Sequence, residues 1–250
     1  MLFLLEAVRK RGFISRLERE ERAVVGVRAV ILRVCIAKRG GRRRLQQLLD
    51  SMASQILSWA DGRAVYREDF PLRAELEARG VCEVGEWELY EAKAVEILTA
   101  AAEKRDRLFA AFDKCGAQLT ETLRKLAARF RYIEAEAQPD ELYGLRQTLM
   151  RDGVALCSSR PGSSKADAAL ILAQPKNPRY FKENCAVLAL CGDKGHFGGL
   201  RVKSAEFTYP EGFAESVPEG YPLAPIAAYA LSAGALDPRG ICAARVKTEK

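Results

Sequence analysis

The chain has 250 residues, 48% of them hydrophobic and 29% charged, a balance that excludes general disorder because so apolar a chain buries enough surface to offset the entropy of ordering. Aromatic residues make up only 8%, so the core is expected to rest on Leu, Val, Ile and Ala. The formal charge of +7 is concentrated at one end: the first fifty residues carry 13 Lys and Arg against 5 Asp and Glu, and the rest carry 27 against 28.

A segment this basic attracts phosphate, nucleic acid, an anionic membrane surface or the protein's own acidic stretch at 51–100. The plain alternative is a solvated face that binds nothing in particular. Seven cysteines, Cys35, Cys82, Cys115, Cys157, Cys185, Cys191 and Cys242, are odd in number and widely spaced. Several lie inside apolar runs, where reduced Cys behaves as a small hydrophobe. A secreted disulfide framework is denser and even, so a reducing, cytoplasmic setting is expected. Met1–Val8 lacks the basic flank and the length of a secretory signal. Val24–Ala37, the most apolar run, contains Arg28 and Arg33, which argues against a membrane span.

In chain order, residues 1–22 read as a basic amphipathic appendage, with Leu5, Val8 and Leu17 on one helical face interrupted by Gly12. Its Arg9-Lys10-Arg11 cluster suits an anionic surface. Val24–Ala37 is nearly continuously apolar and β-branched, the pattern of an interior strand covered on both faces. Arg28 and Arg33 have opposite parity along it, so one of them marks a strand end. Lys38–Arg44 is a basic turn containing Gly40 and Gly41. Leu45, Leu48, Leu49, Met52, Ile56 and Trp59 then repeat at helical spacing. Short strands are expected at 64–66 and 81–84, with a short helix at 72–79 between them. Residues 86–130 read as the longest helical stretch, with a stripe of Leu108, Phe112, Cys115, Leu119, Leu123, Leu126 and Phe130 and a Glu103–Arg107 pair; Gly116 is a natural break. Strands at 131–137, 153–157, 166–173 and 185–191 alternate with a helix at 139–152 and with turns at 158–165 and 192–199. An outer strand at 200–209, a helix at 221–235 and a strand at 240–246 complete the pattern.

Strands alternating with helices predict an α/β fold that is Rossmann-like, with a parallel or mixed central sheet, helices on both faces and a long helical segment near the middle. The domain reading is an appendage at 1–22, a first α/β half at 23–85, a helical crossover or insertion at 86–130 and a second α/β half at 131–250.

Three constellations carry candidate chemistry. In the first, Arg39, Gly40, Gly41, Arg42 and Arg43 follow a buried strand and open a helix. Ligands in open α/β sheets bind at strand carboxyl ends, where helix amides are free. The two glycines permit close backbone approach to an anion and the arginines supply bidentate contacts. Neither G-x-G-x-x-G nor the P-loop pattern is present. Three arginines in a first helical turn oppose the helix dipole at about 0.3–1 kcal/mol each, a cost that a bound anion relieves.

The second is Gly192–Gly199, which holds His196, the single histidine. A general-base or ligand role for it competes with ordinary turn chemistry. A metal site joining Cys185, Cys191 and His196 is rejected, since six residues along one strand span roughly 20 Å. The third is Arg160–Lys165, which lacks phosphate-loop spacing and reads as a surface turn.

Three functional expectations follow. The leading one is a non-catalytic binding or regulatory protein that takes a phosphate-bearing small molecule at the first strand–helix turn. A nucleic-acid-associated or scaffold protein using the basic N-terminal fifth is the alternative, although only Phe3 and Phe13 supply aromatics there. An enzyme built on His196 is the third.

Overall fold

A computed structural model describes residues 1–11, 13–59, 62–158, 162–175, 179–191 and 197–249, with the backbone alone described at 158, 163 and 179. Its elements begin with β1 (Leu2–Lys10), β2 (Arg16–Val24), β3 (Val27–Ala37), α1 (Arg42–Trp59), β4 (Arg63–Tyr66), α2 (Arg73–Glu77), β5 (Cys82–Glu83), α3 (Trp87–Ala92) and α4 (Ala94–Ala101). There follow β6 (Arg107–Ala111), α5 (Ala117–Ala127), β7 (Tyr132–Glu136), α6 (Pro139–Arg151), β8 (Leu156–Ser158), β9 (Gly162–Ser164), β10 (Ala168–Ile171), β11 (Arg179–Phe181) and β12 (Ala186–Ala189). The last are β13 (Leu200–Thr208), α7 (Phe213–Ser216), α8 (Leu223–Ser232) and β14 (Cys242–Glu249).

The fold is α/β, with parallel strands in mixed sheets and helices on both sides. The chain divides into two interleaved units. Unit 1 comprises Met1–Leu89 and Tyr209–Gly240; unit 2 comprises Tyr90–Thr208 and Ile241–Lys250.

Unit 1 is built on a sheet ordered β2-β3-β1-β4-β5. β1 runs parallel to β3 and β4, whereas β2 runs antiparallel to β3. Residues 1–22 are therefore not an appendage. The run Leu2–Leu5 is buried on both faces in the central strand, because an apolar stretch without alternation is what a strand sandwiched between layers needs. Val27–Ala37 is an interior strand, as its composition predicts, and Arg28 lies at its start. β2 carries Glu18, Arg19, Glu20, Glu21 and Arg22 and forms the edge, where charge discourages pairing with another chain. Val25 (φ 52°) and Gly26 (φ 73°) join β2 to β3, a two-residue turn with both φ values positive, matched to the strand twist. Phe3, Leu5, Val30, Leu32 and Val34 pack with Leu49, Met52, Ala53 and Ile56 of α1. Trp59 leaves that stripe at the helix end and is 69% exposed.

Unit 2 is built on a sheet ordered β14-β13-β12-β10-β6-β7-β8, parallel except for β14. Residues 86–130 are not one helical stretch, because β6 lies in their middle. Leu108 and Phe112 fall four apart and imitate a helix stripe, but Leu108, Phe109, Ala110 and Ala111 are all buried. Alternate residues face opposite ways: Leu108 and Ala110 join the core with α4 and α5, while Phe109 and Ala111 join Phe181, Val187 and Phe197. Arg107 pairs with Asp106 (3.7 Å) and Glu134 (3.6 Å), not with Glu103. At the amino end of β10, buried Asp167 accepts the Asp106 and Arg107 amides at 2.9 and 3.0 Å and pairs with Lys182. Burial pushes this carboxyl up, but the ammonium and the two amides overcome it and hold the group below the ordinary aspartate value. None of the seven cysteines is joined in a disulfide.

Candidate functional site

Because β1 and β3 are parallel and in register from Leu2–Ala29 to Lys10–Ala37, both leave the sheet at the same edge. β3 separates β1 from β2, so Arg11 leaves β1 on one side of β3 and Phe13–Ser15 lead into β2 on the other. Two strand spacings are about 9–10 Å, within the reach of five residues. Ser15 anchors the crossing. It is 2% exposed, and its Oγ accepts the Ala37 amide at 3.0 Å.

The crossing explains Gly40. A Cβ there would lie 2.7 Å from Ser15 Oγ, whereas one on Gly41 would meet nothing within 4 Å. Gly40 is thus matched to the chain's own loop. The Gly40 amide returns to Ala37 O at 3.0 Å, and those of Arg44 and Leu45 return to Gly41 O at 3.1 and 3.3 Å. Arg39, Arg42 and Arg43 are exposed. The Arg39 guanidinium stands 5.7 Å from the centroid of the Phe13 ring.

A cavity of about 480 Å³ opens at this edge. Its apolar lining is Ile36 and Ala37 from β3, Leu45 from α1, and Pro71 and Leu72 before α2; its cations are Arg9, Lys10, Arg11 and Lys38. Of the expected site, the cavity therefore takes the neighbours Lys38 and Leu45 and not Arg39, Gly40, Gly41, Arg42 or Arg43. The basic triplet 9–11 belongs to it, a placement hidden in the sequence because only the parallel pairing of β1 with β3 brings 9–11 beside 36–38.

Electrostatics sharpen the edge. Glu18 pairs with Lys10 (3.0 Å) and Arg16 (2.5 Å), which pull its carboxyl down to about 2. Among the described residues no carboxylate pairs with Arg9, Arg11, Lys38, Arg39, Arg42, Arg43 or Arg44. α1 also has no acidic residue in its first turn.

Further along the same sheet, Tyr66, Glu68, Arg73, Glu83, Val84, Gly85, Glu86, Pro222 and Pro225 line a second cavity of about 410 Å³. Three carboxylates stand there with one cation, and Arg73 is paired with Glu83 at 3.2 Å. Burial raises the Glu86 carboxyl and the Tyr66 phenol.

No protein-family model, no curated protein and no solved structure matches this chain.

In unit 2 the strand order reverses beside β6, since β7 and β8 lie on one side and β10 and β12 on the other. Such a reversal opens a crevice where α/β sheets place ligands. Here Ala111, Phe112, Asp113, Glu136, Ala137, Gln138, Gln174 and Pro175 leave only about 10 Å³, barely a water's worth. The Cys115 amide, one residue before the α5 cap Gly116, donates to Glu141 Oε2 at 2.9 Å. A protein carboxylate thus stands where a ligand's anion would bind. His196 and residues 192–195 lie outside the described residues, as do Arg160 and Pro161. Cys185 is buried, and burial pushes its thiol up to about 12, far from a thiolate nucleophile.

Proposed function

We propose that unit 1 is a non-catalytic binding or regulatory module that takes a phosphate-bearing small molecule at the carboxyl ends of β1 and β3. The observation that supports this reading is the cavity of about 480 Å³ whose lining holds four cations and no carboxylate. Its size falls within the roughly 300–1,000 Å³ of small-molecule sites. Its chemistry is divided. Ile36, Ala37, Leu45, Pro71 and Leu72 suit an apolar ring or chain, whereas Arg9, Arg11 and Lys38 suit a multiply charged head. Charge-assisted hydrogen bonds of about 1.5–3 kcal/mol each provide orientation, and the α1 arginines add to the attractive field.

The test is thermal unfolding in the presence of mono- and dinucleotides, sugar phosphates and inorganic phosphate. A ligand at about 100 times its Kd adds about 2.7 kcal/mol of stability. The Arg11→Ala, Lys38→Ala double variant should abolish that gain, and Arg42→Ala with Arg43→Ala should reduce it. A flat response of the unmodified protein across the whole set rejects the reading.

A further inference from the structure

The connection from β1 to β2 does more than close the sheet. It carries Phe13 and Ile14, 71% and 78% exposed, neighbours in sequence and the two most exposed of the large apolar side chains among the described residues. They do not belong to a frayed end. Ser15 fixes the loop through its buried hydroxyl on the Ala37 amide and by contact at Gly40. The same carboxyl edge carries Arg9 and Arg11 at the end of β1, Lys38 and Arg39 in the β3–α1 turn, and Arg42, Arg43 and Arg44 in the first turn of α1. None of these seven has a carboxylate partner among the described residues, and Arg39 covers one face of Phe13. The acidic residues of β2 do not relieve them, because Glu18, Glu20 and Glu21 are engaged by Lys10, Arg16, Arg19, Arg28 and Arg33.

We propose that this edge of unit 1 docks on an anionic phospholipid bilayer, with Phe13 and Ile14 entering the headgroup–acyl boundary and the seven cations meeting lipid phosphates. An anchored apolar pair on an edge rich in unpaired cations is the composition that interfacial binding requires, since apolar burial and attraction to anionic lipid act together. Each cation held near an anionic leaflet strengthens binding about fivefold. Nucleic acid fits the charge but not the apolar pair. Base stacking along a strand needs successive π faces; Phe13 offers one, with Arg39 over it, Ile14 has none, and Phe3, the other aromatic of the basic segment, is buried in β1. The proposal shares the cations of the cavity rim but not the cavity, so it stands apart from the small-molecule reading.

The experiment is co-sedimentation of the full chain with vesicles of phosphatidylcholine alone and of phosphatidylcholine mixed with phosphatidylglycerol, at low and high salt. Binding is expected only to the mixed vesicles and should weaken at least about tenfold in high salt. The Phe13→Ser, Ile14→Ser double variant should lose about tenfold or more in partitioning while keeping its melting temperature and any nucleotide-induced thermal shift. Arg42→Glu with Arg43→Glu should lose more. Equal vesicle binding by the Phe13→Ser, Ile14→Ser variant and the parent overturns the proposal, as does absence of binding to the mixed vesicles. Salt-sensitive capture of a single-stranded or duplex oligonucleotide without vesicle binding also overturns it and assigns the basic edge to nucleic acid.

Discussion

At the carboxyl edge of unit 1, four cations and five apolar side chains surround about 480 Å³. Beside β6 in unit 2, the crevice at the reversal of strand order holds about 10 Å³ and is lined by Asp113 and Glu136, while Glu141 sits on the amide before α5. Both edges belong to parallel strands, and both precede a helix whose first amides lack partners within the helix. What differs is the charge set beside that electropositive end. Unit 2 places its own carboxylate, Glu141, on the Cys115 amide just ahead of it. Unit 1 seats Ser15 on the Ala37 amide of β3, uses Gly40 to make room for it, and crowds further cations onto α1.

The largest expected effect lies at the clamp that holds β6 to β10. Replacing Asp167 with Ala strands Lys182 and two amides, and should destabilise unit 2 by about 3–5 kcal/mol in chemical denaturation. Asp167 also sets an acid limb. Its folded pKa is depressed, so the stability it supplies is complete above the unfolded value near 3.8 and is lost as pH falls through the lower folded value. Asp167→Asn should flatten that limb; an unchanged acid profile breaks the assignment. Next, Glu141→Ala should cost about 1–3 kcal/mol by orphaning the Cys115 amide, and sulfate should recover part of it. Loss without recovery means that the α5 amino end is not a masked anion site, and the contrast between the units weakens.

A finer pair separates loop packing from ligand approach. Gly40→Ala should cost about 1–2 kcal/mol because Ser15 must give up its place, whereas Gly41→Ala should stay within about 0.5 kcal/mol. The reverse order removes the packing account of the turn. The smallest effect is a gain. Val25 is a β-branched residue at φ 52°, and Val25→Asn should raise stability by about 1 kcal/mol in a melting experiment.

Much of this architecture is legible in residue patterns. β3, β10 and β12 read as strands because their apolar runs are bounded, and β7 because its residues alternate; α1 reads as a helix because its apolar residues recur every three to four positions, and α6 because Pro139-Asp140 marks a helix start. Two elements mislead. β1 hides at the basic end of the chain, where Leu5, Val8 and Leu17 read as one face of a helix. β6 hides because Leu108 and Phe112 lie four apart among alanines, and period alone does not distinguish a doubly buried strand from a buried helix. The site divides in the same way. The excess of cations at 9–11 and 38–44 is written in the sequence. Their convergence is not, since it depends on β1 pairing in parallel with a strand some 27 residues later. Gly40 was visible as a glycine, but its reason, the passage of Ser15, is a non-local contact.

The interleaving of the chain has a consequence in time. Unit 1 takes α8, with buried Ile226, Ala227, Ala228 and Ala230, from residues that follow nearly all of unit 2. At about 5–20 residues per second on a ribosome, this helix emerges roughly seven to thirty seconds after β5. Through that interval the nascent β1–β5 sheet lacks a layer it is built to have, and a chaperone that shields bare apolar strands should raise the yield of this protein more than that of one whose units are each contiguous.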